Sequence, residues 1–407
     1  MYFQVGWRNI WRNPRRTMVI MTAVIIGVWS MVFLGGILRG FADQLIRNGI
    51  STLTGHIQVH GKRYRDDPVI EHSIGDPEVV RAALDKVLPP GTRWSERVRV
   101  GAVVSNARHS SGVTLVGIEP KEEAAVSFIG DAVSEGNYLS AGDEFGIVVG
   151  AALVEKFETG LGRKLVLMSQ DTGKEIASRA FRIVGVFKAE LEATEKQYVF
   201  VTMPVAQRML KLGSAISEVA VILPGRQDAE MVAESLRREL PGADYEVHTW
   251  LDLLPLVTAI LKMYDGFILW WFFVVFIAMG FGIVNTTLMA VFERIREFGL
   301  QKALGMKPLW IVRQVLTETS FLLVLGMIVG NLLGILTLFA LSKKGIDLSS
   351  LSAGMEYFGY SRVIYPVLNG RDVLLANGVV LVLGLLVSMY PAVKAARISP
   401  VEAMAQV

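Results

Sequence analysis

The 407 residues include no cysteine and only five histidines. A disulfide framework, a thiolate nucleophile and a Cys-ligated metal are therefore excluded. Net charge is only +3, and nucleic-acid binding rests on many cations meeting phosphates, so no nucleic-acid partner is indicated. The sequence also lacks a Gly-x-Ser-x-Gly elbow, a His-Glu-x-x-His pair and a Gly-x-x-x-x-Gly-Lys-Ser/Thr phosphate loop. Without the last it is not expected to hydrolyse ATP. No catalytic, cofactor or metal site can be assigned in this chain.

Two weaker features carry no assignable chemistry. His56 and His60 stand four apart, which on a helix would bring two imidazoles together. His56-Ile57-Gln58-Val59-His60 alternates like a strand, so two surface histidines on one polar face are expected instead. Gly160-Leu161-Gly162-Arg163-Lys164 is glycine-rich and basic but reads as a β-turn before a strand.

Apolar residues are abundant: 52% of the chain, with a mean hydropathy of +0.43. That balance favours a membrane protein. Residues 17–38, 267–292 and 373–393 carry no charge, and each is long enough to cross roughly 30 Å of hydrocarbon. Residues 309–342 are also apolar but contain Arg313 and Glu318. Each would cost roughly 2.5–3.5 kcal/mol at the bilayer centre. Starting the charge-free span at Thr319 leaves both in the headgroup region. The expected fold class is therefore a four-helix membrane protein with a large α+β extracytoplasmic domain between the first and second helices.

The expected order is a cytoplasmic amphipathic helix (1–16), first span (17–40), extracytoplasmic domain (41–264), second span (265–292), cytoplasmic loop (293–308), third span (309–342), outer loop (343–372), fourth span (373–393) and cytoplasmic tail (394–407). Arg8, Arg12, Arg15 and Arg16 precede the first span, Arg294, Arg296, Lys302 and Lys307 follow the second, and Lys394 and Arg397 follow the fourth. The positive-inside rule makes that side cytoplasmic, against a weaker set of Arg39, Arg47, Lys343 and Lys344. Both termini are then cytoplasmic and the large domain periplasmic or extracellular.

Phe3, Trp7, Ile10 and Trp11 share a helical face, as in a helix lying in the membrane interface; the alternative is the frayed start of the first span. Asn13-Pro14 breaks it. In the outer domain, β-rich runs fall at 56–59, 113–118, 164–168, 182–187, 198–201 and 218–222, and helical patterns at 77–88, 204–211 and 229–240. A further helix, 251–264, leads into the second span. Without disulfides this domain folds on its hydrophobic core alone. In the membrane, Gly326, Gly330 and Gly334 stack on one face of the third span, a pattern for close helix packing. Asn285 and Asn331 are expected to face protein rather than lipid.

The cytoplasmic loop carries the densest pattern. It runs from Glu293 through Arg294, Ile295, Arg296, Glu297, Phe298, Gly299, Leu300, Gln301, Lys302, Ala303, Leu304 and Gly305 to Met306. Its apolar stripe shifts at Gly299, which predicts a bend there, a short helix from Leu300, an end at Gly305 and a new helix at Pro308. Such a helix can dock into a partner's groove; a solvated charged loop is the equal alternative.

Glu293-Arg294-Ile295-Arg296-Glu297-Phe298-Gly299 followed by Ala303-Leu304-Gly305 resembles the E-R-x-R-E-I-G and A-L-G of MacB/FtsX/LolC-type (type VII) ABC transporter permeases, with Phe298 for the usual Ile. The tail Pro391-Ala392, Ala395, Pro400, Glu402-Ala403 is similar to the family's closing motif, with Met404 for Leu, and Arg8-Asn9-Ile10, Arg12-Asn13, Arg16-Thr17 to its opening. The resemblance implies a permease subunit. In it Glu293, Arg294, Arg296, Glu297, Gly299, Leu300, Ala303, Leu304, Gly305 and Met306 couple to a separate ABC-type ATPase that holds ATP and magnesium. Arg294, Arg296 and Glu297 would pair with ATPase charges, and Leu300 and Leu304 would fill its groove. Ser399, Pro400 and Glu402 form a capping box for a last short helix.

With residues 1–16 alone before the first span, the layout is closest to LolC/LolE-like lipoprotein-releasing permeases of the inner membrane. They act with a second permease copy, identical or related, on a lipoprotein or other amphiphile. An FtsX-like mechanotransmission subunit and an unrelated membrane receptor are the competing readings.

Overall fold

The computed structural model describes residues 2–347, 363–399 and 403, the first five of them as backbone only. It divides into two compact units, one built from Met1–Asp43, Ile260–Ser349 and Val363–Val407 and the other centred on Gln44–Ala259. The expected Ser399–Glu402 capping box and much of the 343–372 loop lie outside the described residues.

The first unit is helical: α1 (Tyr2–Arg12), α2 (Pro14–Gly49), α3 (Pro255–Glu293), α4 (Ile295–Ala303), α5 (Pro308–Lys344) and α6 (Gly370–Arg397). Among the described residues four of these, α2, α3, α5 and α6, are long and apolar enough to span a membrane. Proline starts α2, α3 and α5, where its missing N–H is no loss. The Asn369 side chain accepts from Arg371 N at 2.9 Å and caps α6.

Glycine sets the packing. Cβ atoms built on Gly326, Gly330 and Gly334 of α5 would meet Val24, Val28 and Val32 of α2, and the one on Gly330 would lie 2.9 Å from the Ile25 carbonyl oxygen. The two backbones therefore approach as closely as only glycine allows. Gly384 of α6 receives Leu323 of α5 in the same way. Asn331 and Asn377 exchange side-chain amide bonds of 2.8 and 3.1 Å between α5 and α6. At the bundle end away from α4, Arg39 bonds Asp372 at 2.6 Å and Asp265 at 2.7 Å, fastening α2, α3 and α6. Asn285, expected to face protein, is exposed in this single chain. The inward face of α3 is Ile283, Thr287 and Val291, which turns Phe281, Asn285 and Met289 outward and exposed.

The second unit holds a mixed sheet of β1 (Ile57–Gly61), β2 (Arg93–Ser105), β3 (Ser110–Ile118), β4 (Val133–Gly136), β5 (Gly146–Gly150), β6 (Lys164–Gln170), β7 (Ile176–Phe187), β8 (Tyr198–Thr202), β9 (Glu218–Ile222) and β10 (Tyr245–Thr249). Strand order is β10-β1-β9-β2-β3-β8-β5-β7-β4, with β6 pairing β2 and β7. The longest strand, β2, is absent from the expected set: Arg93, Glu96, Arg97 and Arg99 interrupt its apolar pattern.

Arg97 is instead fully buried. It bonds both Glu123 oxygens at 2.8 and 2.9 Å, Glu218 at 3.1 Å and the Leu53 carbonyl. Glu218 is also approached by Arg99 at 3.5 Å and His60 at 3.7 Å. His60 is thus a buried residue of β1, 3% exposed, not a surface histidine: β1 lies between β9 and β10, so its polar side chains have sheet neighbours on both edges.

Gly330→Leu should destabilise the detergent-solubilised chain by about 1–3 kcal/mol, whereas Gly378→Ala, at an exposed position with open space, should not. Thermal unfolding compares them, and equal midpoints would contradict the α2–α5 approach. In the outer unit, Glu123→Ala leaves Arg97 short of charge in the core and should cost about 3–5 kcal/mol. Burial pushes the Glu218 carboxyl up, but Arg99, His60 and Arg97 outweigh it and hold the group well below the usual carboxylate range. Its folded pKa is depressed, so its contribution is complete above the ordinary glutamate value of about 4.3 and declines as pH falls below it. Hydrogen exchange across β2 should quicken in Glu123→Ala, and in the parent chain as pH drops below that point after correction for intrinsic rates. Unchanged β2 protection in both cases would contradict this.

Candidate functional site

The candidate site is α4 with its flanks. Arg294 breaks the helix after α3, with φ −110° and ψ 19°, and α4 runs unbroken from Ile295 to Ala303. The bend therefore falls at Arg294 and not at Gly299, which is buried mid-helix. The physical reason is Phe298: it is 1% exposed in a core with Val291, Ile311, Val315, Ala392 and Ala395, and seating it there requires helix on both sides of it. Gly305, at φ +87°, follows the last turn, and its N–H bonds the Lys302 carbonyl at 3.0 Å. Pro308 then opens α5.

Charged residues hold α4 against the rest of its own unit. Arg294 is 9% exposed and bonds Glu318 of α5 at 2.9 and 3.0 Å and Glu297 one turn on at 3.0 Å. Its guanidinium also lies over the Phe298 ring, 5.2 Å from the centroid. Two arginines flanking Asn13 complete the fastening: Arg12 meets Glu297 at 2.5 Å and Arg16 meets Glu293 at 2.8 Å. Asn9 donates to Glu318 at 2.5 Å. At the other end Lys302 donates to the Ala396 and Ile398 carbonyls at 3.0 and 2.6 Å, where a cation also complements a helix C-terminus.

The residues read as one coupling set from the sequence thus divide in two. Glu293, Arg294, Glu297, Phe298 and Gly299 face inward or pair within the chain. Leu300, Ala303, Leu304 and Gly305 face outward, with Leu300 56% and Leu304 80% exposed. Arg296 is exposed and Met306 half-buried. Leu309 and Trp310, 58% and 40% exposed, extend the outward apolar surface. In sequence they read as the start of the third span. Of the holding residues, Arg12 and Arg16 read in sequence as topology markers, Glu318 as a headgroup-region charge beside the third span, and Asn9 only as part of the opening motif. The usable signal was three glutamates, Glu293, Glu297 and Glu318, on a side otherwise rich in arginine.

Gly326, Gly330 and Gly334 lie apart from this site, in the α2–α5 contact. α1 leaves Trp7 and Trp11 exposed and Ile10 buried, with Trp7 edge-on to Trp11 and to Phe321 of α5.

Residues 17–239 match the MacB-like periplasmic core domain, and residues 271–400 the FtsX-like permease C-terminal domain. The pyoverdine export ATP-binding/permease protein PvdT of Pseudomonas syringae pv. tomato is 26% identical over 98% of this chain and 58% of its own length; the chain thus spans little more than half of that relative. The lipoprotein-releasing system transmembrane protein LolC of Xylella fastidiosa is 23% identical over 95% of this chain and 93% of its own. The crystal structure of the periplasmic region of MacB from Actinobacillus actinomycetemcomitans covers 52% of this chain and 94% of its own at 13% identity, with a TM-score of 0.35. With the periplasmic core match alone spanning more than half of the residues and a permease match following it, this multi-pass inner-membrane protein belongs to the MacB/FtsX/LolC-type (type VII) family of ABC transporter permeases.

Proposed function

We propose that the chain is the non-catalytic permease subunit of an ABC transporter, with α4 as the element that seats in a separate ATPase. ATP and magnesium are bound by that partner. The observation that carries this reading is the pair Leu300 and Leu304, exposed on a short helix whose opposite side is anchored by Phe298 and by ion pairs. A short helix anchored so firmly loses little further backbone entropy on docking. Arg296 stands on the accessible side for a charge on the ATPase, while Arg294 and Glu297 act as holders. The cation clusters around α1, α4 and the end of α6 favour a cytoplasmic position for this end and for both termini.

A second permease copy, identical or related, completes the machine. Asn285 on the outward stripe of α3 supports this, since an amide facing lipid in mid-span is costly. The work done is extraction or export of a lipoprotein or other amphiphile at the outer face of the inner membrane. Relatives named for pyoverdine export and for lipoprotein release support that class.

Leu304→Asp should abolish co-purification of the ATPase while leaving the melting temperature of the permease unchanged, because the buried charge would cost several kcal/mol only in the complex. Association at the parental level would sink the reading. The holding pairs are tested separately. Arg16→Glu or Glu293→Arg alone should cost about 1 kcal/mol of stability, the pair being part-exposed, yet lower the ATPase rate of the complex several-fold. The double reversal Arg16→Glu with Glu293→Arg should restore the rate. Parental rates in both single variants would show that the pair positions nothing.

A further inference from the structure

On the half of the bundle nearest α4, helices α5 and α6 part into an open groove of about 600 Å³. Arg313, Leu316, Thr317 and Ser320 line it from α5, and Val382, Leu385, Leu386 and Met389 from α6. Each set recurs at i, i+3, i+4, i+7, so each is a single stripe about 10 Å long. The two hydroxyls are spent on their own helix: Thr317 donates to the Arg313 carbonyl at 2.8 Å and Ser320 to the Leu316 carbonyl at 2.7 Å. Below its charged end the groove is therefore apolar in effect.

Arg313 closes that end. It is exposed, carries a guanidinium with five N–H donors, and among the described residues forms no ion pair. It precedes Thr319, where the charge-free part of α5 begins, by about 9 Å of helix, which sets it at headgroup depth. An unmatched cation at the head of an apolar groove calls for an amphiphile with an anionic head. We propose that this groove binds an anionic phospholipid of the leaflet on the α4 side, with an acyl chain along the two stripes and the phosphate on Arg313. Guanidinium and phosphate match in charge and in two-pronged geometry. A protein neighbour fits less well: the outward stripe of α3 (Phe281, Asn285, Met289) offers no carboxylate for Arg313. The proposal rests only on α5 and α6 crossing the membrane and stands apart from the ATPase reading.

The test is native mass spectrometry of the full chain in mild detergent, titrated with phosphatidylglycerol or with phosphatidylcholine of the same acyl chains. The parent should retain one phosphatidylglycerol about fivefold more tightly than phosphatidylcholine, the effect of one cation at the membrane surface. Arg313→Gln should erase the preference, weakening phosphatidylglycerol more than phosphatidylcholine, and Arg313→Lys should keep most of it. Leu386→Trp, which fills the groove, should weaken both lipids. Equal retention of the two lipids by the parent, or a preference that survives Arg313→Gln, overturns the proposal. So does a photocrosslinker at Leu386 that captures a second copy of the chain in place of lipid.

Discussion

The loop end of the bundle depends on one buried guanidinium. Arg294 sits where α3 ends and α4 begins, and its donors are shared between Glu318 on α5 and Glu297 on α4. A charge so far removed from water is stable only with its partners in place. The three helices are thereby held to one arrangement, and Phe298 fills the apolar space beside them. The outward face of α4 follows from that fixed inward face: with Arg294 and Phe298 seated, the helical period leaves Leu300 and Leu304 in water.

The outer unit uses the same device. Arg97 is buried among Glu123, Glu218 and the Leu53 carbonyl, tying β2, β9 and the chain entering β1. A domain without disulfides gains from such a network chiefly in specificity, since the ions must all meet in one register or leave charge unpaired. In the membrane, where burying apolar surface gives no such drive, contact comes from Gly326, Gly330 and Gly334 against the valines of α2 and from the Asn331–Asn377 pair.

Much of this was legible in the sequence, and the failures have physical causes. Four charge-free runs give four spanning helices, because the bilayer imposes a length that composition reveals directly. The six expected β-runs all fall on strands of the sheet, the first starting one residue early at His56 and the last matching β9 at its full extent of Glu218–Ile222. Strand β2 was hidden because Arg97 and Arg99 interrupt its apolar pattern, and the Glu123 and Glu218 that pair with them are distant in sequence. His60 was misplaced for the same reason. At the loop, periodicity found α4's two faces but set the break at Gly299, because glycine is a local signal and the Arg294–Glu318 pair is a tertiary one. Arg12 and Arg16 look the same in sequence whether they mark topology or hold a helix.

The central claim is that α4 is held from inside so that Leu304 is offered to an ATPase. A photocrosslinking residue placed at Leu304, in native membranes, tests it most directly, with Leu374 on exposed α6 as the control. The account predicts a crosslink from position 304, and none from 374, to a protein carrying an ABC-type phosphate loop. Capture from position 304 of lipid or of the permease itself, with no such ATPase, would contradict it.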